Sequence, residues 1–464
     1  MQSDNDNKTV LTPMSPTTAM QWPRLINDKR FGLEDYHDPK SRGARSDFRR
    51  DYDRLVFSSP FRRLQNKTQV FPLPGSIFVH NRLTHSMEVA CVGKSLADEV
   101  ALLLRRRYSS EPWVGIFDHI GDIVAAACLA HDLGNPPFGH SGERAIATFF
   151  SEGPGHALRA ELSDEQWSDL IHFEGNANAF RVLTHQFKGR RRGGFAMTYS
   201  MLASIVKYPY ESSLTTKGKF GFFTTEKDDF VRIADELGML NLTDPADARI
   251  RYARHPLVYI VEAADDICYE VMDMEDAHRL KILTADEVIS AFLSYFDDED
   301  QGHMQRVMSN IDDARERIAY LRSCVVGRLV RCCADAFVEA ESLILNGVFD
   351  GCLLDHIPQR ERLAYARCND ISWDKIYCAG DVVDVELAGN RIITFLLGKL
   401  IGAVTAPQLN YSRLLLAKFP GQYDVQAPTT FGRVQAVLDH ISAMTDVYAL
   451  DLYRKLCGST LPAV

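Results

Sequence analysis

Long apolar runs are missing from this chain, and so is any surplus of positive charge. No stretch approaches the roughly 18 apolar residues of a membrane span. The opening residues, MQSDNDNKTVLTPMSPTTAM, lack the basic start and apolar run of a secretory leader. A cytoplasmic, soluble protein is the expectation. Lys and Arg total 52 against 62 Asp and Glu, a formal net charge of -10. The surface as a whole therefore does not attract polyanions, and phosphate chemistry has to come from a local basic site or a metal. Ten cysteines occur, yet none forms a C-x-x-C pair and only Cys332 and Cys333 are adjacent. That argues against a zinc knuckle or a disulfide framework and predicts small, buried residues in a reducing compartment. Strand signals are few. Val70-Phe71 and Ile77-Phe78-Val79 flank a Pro-Leu-Pro-Gly turn and predict at most a short hairpin, with Phe220 to Phe223 a second extended candidate.

What is present reads as helix. The 464 residues suffice for one large domain or two ordinary ones. Val89, Val92, Leu96, Val100 and Leu103 recur at spacings of three and four, which predicts an amphipathic helix. Asp122 to Ala130 is nearly all apolar and rich in alanine, so it predicts a central buried helix. His255 to Asp273 and Phe431 to Cys457 are further helical segments. The expected fold class is all-α: one main domain with a helical C-terminal extension, after a polar, turn-rich, disordered stretch over residues 1–20.

Chemistry concentrates in HDLGNPPFGHSGE, from His131 to Glu143. His131 and Asp132 fall where the alanine-rich helix ends, and at a helix end both side chains reach one point in front of the terminus. An imidazole beside a carboxylate suits Mn²⁺, Fe²⁺ or, less well, Mg²⁺. Gly134-Asn135-Pro136-Pro137 cannot continue the helix, and the turn brings His140 and Glu143 back towards the same region. A His-Asp pair at a helix end also serves as plain capping, and the pair alone does not decide between the two. His85, in NRLTHS, follows Thr84, a candidate helix cap that would place His85 in a first turn. Asp265, Tyr269 and Asp273 recur every four residues and share one face of a helix whose other side holds Ala263, Ala264 and Ile267. That face is either a solvated acidic stripe or a set of buried polar groups that requires partners.

Taken together, RRLQNKTQVFPL from Arg62, NRLTHSMEV from Asn81, HDLGNPPFGHSGE from His131, FEGNAN from Phe173, RHPLVYIVEAADDICY from Arg254 and DHISAMTDVYALDLY from Asp439 resemble the deoxyguanosine triphosphate triphosphohydrolases of the HD-domain superfamily. The resemblance spans nearly the whole chain. It implies a helical HD-domain catalytic core over 21–290 with helices of 291–464 packed on it. It implies metal ligands at His85, His131, Asp132 and Asp265 for Mn²⁺ or Mg²⁺, and a catalytic pair at His140 and Glu143. Substrate contacts are implied at Gln69, Arg82, Lys207, Tyr208, Lys219, Tyr269 and Asp273, with Asn176 a further pocket residue. The implied reaction cuts a dNTP, dGTP above all, between the 5′-oxygen and the α-phosphorus, giving deoxynucleoside and intact triphosphate. A homo-oligomer, up to a hexamer, and contact with single-stranded DNA are also implied, and no membrane.

Other signals carry less. Val92-Gly93-Lys94-Ser95 ends like a phosphate loop, but Glu88 stands where the first glycine is required and the segment reads as mid-helix. Arg105 to Arg107 read as the cationic end of a helix. Arg190-Arg191-Arg192, flanked by glycines, is a solvated loop or a contact for single-stranded nucleic acid or a second nucleotide. No Glu-Asp-x-x-Lys-Asp motif follows His131-Asp132, which argues against alarmone hydrolysis. Extra ligands for a two-metal cyclic-nucleotide site are not evident. Retention of all six metal and catalytic positions argues against a sensor with vestigial catalysis.

Overall fold

Asn81 starts the first long helix. The computed structural model describes residues 19–36, 45–71 and 79–460, and in it α1 runs Arg82–Arg107. The cap is Asn81 rather than Thr84: Asn81 Oδ1 accepts the Thr84 N–H at 3.0 Å, while Thr84 Oγ1 accepts the Asn81 N–H at 3.1 Å. This reciprocal pair satisfies two donors that a helix start leaves open. His85 still falls in the first turns. Gly93 and Lys94 are mid-helix, and Arg105 to Arg107 close the last turn.

The alanine-rich segment forms α2 (Ile120–Ala130), and Ile123 through Ala130 are all buried. Next come α3 (Gly139–Ser151), α4 (Gly175–Thr184) and α5 (Pro256–Arg279). His255 caps α5 with its ring, accepting from Leu257 N, and Pro256 opens the helix where no N–H is needed. The C-terminal half supplies α6 (Ala314–Leu345), α7 (Gly380–Thr405), α8 (Thr430–Ser442) and α9 (Asp446–Leu456). The expected single helix over Phe431 to Cys457 is thus two. Thr445 caps Tyr448 N and restarts the chain after a break at Ala443 and Met444.

Two apolar cores result. One gathers α1, α2, α5 and α6, and the other gathers α3, α7, α8 and α9. At the centre of the first, a Cβ added to Gly93 would stand 2.6 Å from Cys128 Sγ, 3.2 Å from Val124 and 3.3 Å from Ala264. Glycine there lets α1, α2 and α5 cross closely. These are the helices that carry His85, His131 and Asp265.

The chain is all-α, with only isolated β-bridges among the described residues. Thr68 and Asn81 pair in one of them, but the turn of the expected hairpin lies outside the described residues, as does nearly all of the expected disordered segment. Met20 itself is buried. Phe220 to Phe223 is not a strand. Phe222 enters the first core while Phe220 and Phe223 enter the second, so the alternation reflects a connector buried between two cores. Among the described residues one helix, Gly380–Thr405, is long and apolar enough to cross a membrane by length and composition, contrary to the sequence expectation. Half of its apolar window is buried, and it packs on α3 and α8, which accounts for the apolar character of that half. All ten cysteines are free, but Cys91, Cys378 and Cys457 are exposed rather than buried.

Candidate active site

The segment from His131 to Phe138 passes from the first core to the second, and the site lies along that seam. His131 ends α2, and its Nδ1 approaches the Cys128 carbonyl at 2.6 Å. In the neutral ring this makes Nδ1 the donor and turns the Nε2 lone pair towards Asp265. His85 Nε2 stands 2.9 Å from Asp265 Oδ1, and His131 Nε2 stands 3.4 Å from the same oxygen. His85, His131 and Asp265 each offer one ligand atom, all within 4.8 Å of one another. Asp132 joins from the side, with Oδ1 3.6 Å from His131 Nε2.

His131 Nε2 is buried without a hydrogen-bond partner. An orphaned imidazole nitrogen beside two carboxylates has the chemistry of a cation site. The charges agree. Burial pulls the His131 imidazolium down, but Asp132 and Asp265 outweigh it and hold the ring up at about 9. Burial raises the Asp265 carboxyl, but the two imidazoles outweigh that and hold it well below its ordinary value. The pocket stabilises positive charge at one point, as a proton or as a divalent ion.

Arg82 is buried and donates from Nη1 to Asp132 Oδ2 at 2.7 Å, and Asn135 Nδ2 donates to Oδ1 at 2.6 Å. The Asp132 carboxylate is thereby fixed in orientation.

His140 and Glu143 sit one turn apart at the start of α3, with Nδ1 3.0 Å from Glu143 Oε2. Glu143 is buried, and its Oε1 accepts the Gly175 N–H at 2.9 Å. Burial raises its carboxyl, but the His140 contact and Lys219 lower it further. The entry to α3 is strained. Phe138 and Gly139 are both left-handed, at φ 62° and 54°, and for phenylalanine this costs about 1–2 kcal/mol. A Cβ on Gly139 would collide with Arg82 Nη2, so any other residue there would have to displace that guanidinium.

A cleft of about 710 Å³ opens over these groups. Gln69, Arg82, Asn176, Lys207, Tyr208, Lys219 and Tyr269 line it, with His131, Asp132, Asp265, His140 and Glu143. His85 lies behind the wall, and so does Asp273, whose Oδ2 accepts the Tyr377 hydroxyl at 3.0 Å. Lys219 Nζ pairs with Glu174 at 2.8 Å, and Lys207 Nζ pairs with Glu262 at 3.1 Å. Asn176 Nδ2 is held by Glu174 at 2.8 Å.

Sequence reasoning missed several wall residues. Tyr377 lies 6.0 Å from Tyr269 between ring centroids, and Trp373 lies 5.4 Å from Tyr377. Both come from a π-helical turn and its exit over Ser372–Ile376, a local feature that periodicity does not reveal. Glu174 and Glu262 were also missed, although FEGN and the IVEAADD stretch name their positions.

A helical core that gathers a histidine, a His-Asp pair and a distant aspartate defines the HD-domain class, and the family described as HD domain matches residues 82–191. The match covers His85 through Glu143 and ends before Asp265. Whole-chain relatives narrow the class. A deoxyguanosinetriphosphate triphosphohydrolase-like protein of Pseudomonas aeruginosa is 38% identical over 96% of this chain and all of its own length. One from Synechocystis is 34% identical over 95% of this chain and all of its own. The deoxyguanosinetriphosphate triphosphohydrolase of Yersinia enterocolitica is 28% identical over 89% of this chain and 94% of its own. The chain belongs to the deoxyguanosinetriphosphate triphosphohydrolase family of the HD-domain superfamily and is a phosphohydrolase.

Proposed function

We propose that this protein is a metal-dependent dNTP triphosphohydrolase, selective for dGTP, releasing deoxynucleoside and inorganic triphosphate. The observation that supports this most is the orphaned Nε2 of His131, beside Asp132 and Asp265 at the base of a cleft whose walls carry Arg82, Lys207, Lys219 and Tyr269. His85, His131, Asp132 and Asp265 are the ligands for Mn²⁺ or Mg²⁺. Such an ion, when bound, supplies Lewis acidity towards an α-phosphate oxygen and a lowered pKa for water.

The protein's own groups do the rest. Arg82, Lys207 and Lys219 balance the triphosphate charge, with Gln69, Tyr208 and Asn176 as neutral contacts. Glu143 holds His140 by Nδ1, which leaves Nε2 to move a proton at the 5′-oxygen or at the attacking water. Tyr269, backed by Tyr377 and through it by Asp273, forms a rigid aromatic surface for the sugar. A ring against C2′ leaves little room for a 2′-hydroxyl, which favours deoxy substrates.

The test incubates the protein with Mn²⁺ or Mg²⁺ and each dNTP or GTP, and separates the products. Deoxyguanosine with triphosphate is expected. Orthophosphate or pyrophosphate as the product would overturn the bond assignment.

A second reading is a nucleotide- or single-stranded-DNA-regulated phosphohydrolase of broader specificity. Exposed Arg190, Arg191 and Arg192 on a chain of net charge -10 favour it, because they are a local exception to the global field. A homo-oligomer, up to a hexamer, would gather several such loops. Sizing chromatography, with rates measured with and without a single-stranded oligonucleotide, separates the two readings.

A further inference from the structure

The C-terminal stretch DHISAMTDVYALDLY lies outside the metal and catalytic positions, yet it touches the cleft from behind at the break between α8 and α9. Asp446, the first residue of α9, is buried. Its Oδ2 accepts the Thr68 N–H at 2.7 Å, and its Oδ1 accepts the Phe138 N–H at 3.0 Å. Thr68 adjoins Gln69 on one wall. Phe138 is the left-handed residue two before His140 on the other. One carboxylate, with one oxygen for each wall, therefore ties the two sides together.

Lys67 repeats the connection. It is buried, and Nζ donates to the Ser442 carbonyl at 2.7 Å and the Asn135 carbonyl at 2.5 Å. Ser442 ends α8, and Asn135 holds Asp132. The Lys67 carbonyl accepts the Arg82 N–H at 3.2 Å. Arg181 of α4, whose N-terminal Gly175 N–H holds Glu143, makes a two-point pair with Asp439 of α8 at 2.8 Å for both contacts. The helix break thus meets the segments that carry Gln69, Arg82, Asn135 and His140.

We propose that Asp446, assisted by Lys67, is a positioning residue for the hydrolysis: it sets the spacing between the Gln69–Arg82 wall and His140. It touches neither substrate nor ion, and acts by holding two backbone amides. For the identity of the substrate, the proposal rests on the function proposed above.

Asp446→Asn separates positioning from mere stability. The amide offers one oxygen, so its NH₂ must face one of the two N–H donors and one tether is lost. Rates per folded molecule are expected to fall at least tenfold in kcat, with KM for dGTP and Mn²⁺ affinity within about threefold of the parent. Hydrogen exchange at Thr68 or Phe138 should quicken at least tenfold while α2 stays protected. Unchanged kcat per folded molecule, or unchanged exchange at both amides, would overturn the proposal.

Should Asp446→Asn fail to fold, Lys67→Met gives the same comparison through the Asn135 and Ser442 tethers. If the parent protein cleaves a generic phosphodiester such as bis(p-nitrophenyl) phosphate but no dNTP, the substrate reading fails. The kcat ratio on that ester, together with the exchange rates, still decides the role of Asp446.

Discussion

Arg82 Nη1 lies 2.7 Å from Asp132 Oδ2, and both residues are buried. A residue expected on the substrate's phosphates is thus also the partner of an expected metal ligand. Breaking a buried pair from one side costs about 3–5 kcal/mol, because the remaining charge is left uncompensated. Arg82→Ala also frees the Asp132 carboxylate from the orientation that this contact fixes, and loss of such an outer partner costs about 10–100-fold in metal affinity, so Mn²⁺ binding should weaken and KM rise. Arg82→Lys should restore only part, since an ammonium on a shorter side chain carries the charge but not the planar guanidinium that lies against Gly139. Calorimetric titration with Mn²⁺ in the absence of nucleotide checks this. An unchanged metal affinity in Arg82→Ala would show that the pair does not support the ligand set.

Metal and rate should separate between the two halves of the site. His131→Ala should remove metal binding to an extent beyond the roughly 10–100-fold that outer-shell changes produce. Glu143→Gln should keep the metal and lose about 10²–10⁴-fold in kcat, the range of a general acid–base pair. Metal titration and steady-state rates on the same two proteins check both statements.

Gly93 has no room for a side chain. Gly93→Ala gains about 0.5–1 kcal/mol of helix propensity. Overpacking costs about 1–3 kcal/mol, and the contact with Cys128 would be only 2.6 Å. Net destabilisation is expected. The double change Gly93→Ala with Cys128→Ala should recover part of it by removing the nearest atom. Urea unfolding of the single and double variants measures the coupling.

Stability should fall on the acid side through His255. Burial holds this imidazole down at about 4, against about 6.5 in an unfolded chain. Its lowered value means that the unfolded chain binds more protons between those limits. The contribution is therefore full above about pH 6.5 and is lost as pH falls towards 4, at about 1.4 kcal/mol per pH unit. His255→Asn keeps a capping side chain but does not titrate. The stability difference between parent and variant should slope across that window and be flat above it; denaturant unfolding at pH 5, 6, 7 and 8 reads the slope.

Much of the site is legible in short segments. HDLGNPPFGHSGE holds its own geometry, because His131, Asp132 and the His140–Glu143 pair lie within a few residues of one helix end and the next helix start. The cap of α1 is Asn81 and not the expected Thr84, because the two residues bond reciprocally and either residue type can start such a motif. Tyr377 and Asp446 were not legible. Tyr377 reaches Asp273 across 104 residues and Asp446 reaches Phe138 across 308, and no periodicity or motif spacing encodes such meetings.

The sequence by itself determined what depends on neighbours along the chain. That includes the helices, the turn after Asp132, and the face shared by Asp265 and Tyr269. Capping and the 3.6-residue period act over a few residues, so a one-dimensional string carries them. Only the tertiary structure decided what depends on burial. It left His131 Nε2 without a partner, placed Arg82 on Asp132 rather than in open solvent, put Asp273 behind Tyr377, and brought a helix from the end of the chain to tie both walls of the cleft. The energy of a charge or a hydrogen bond is set by what excludes water around it, and those groups arrive from everywhere along the chain.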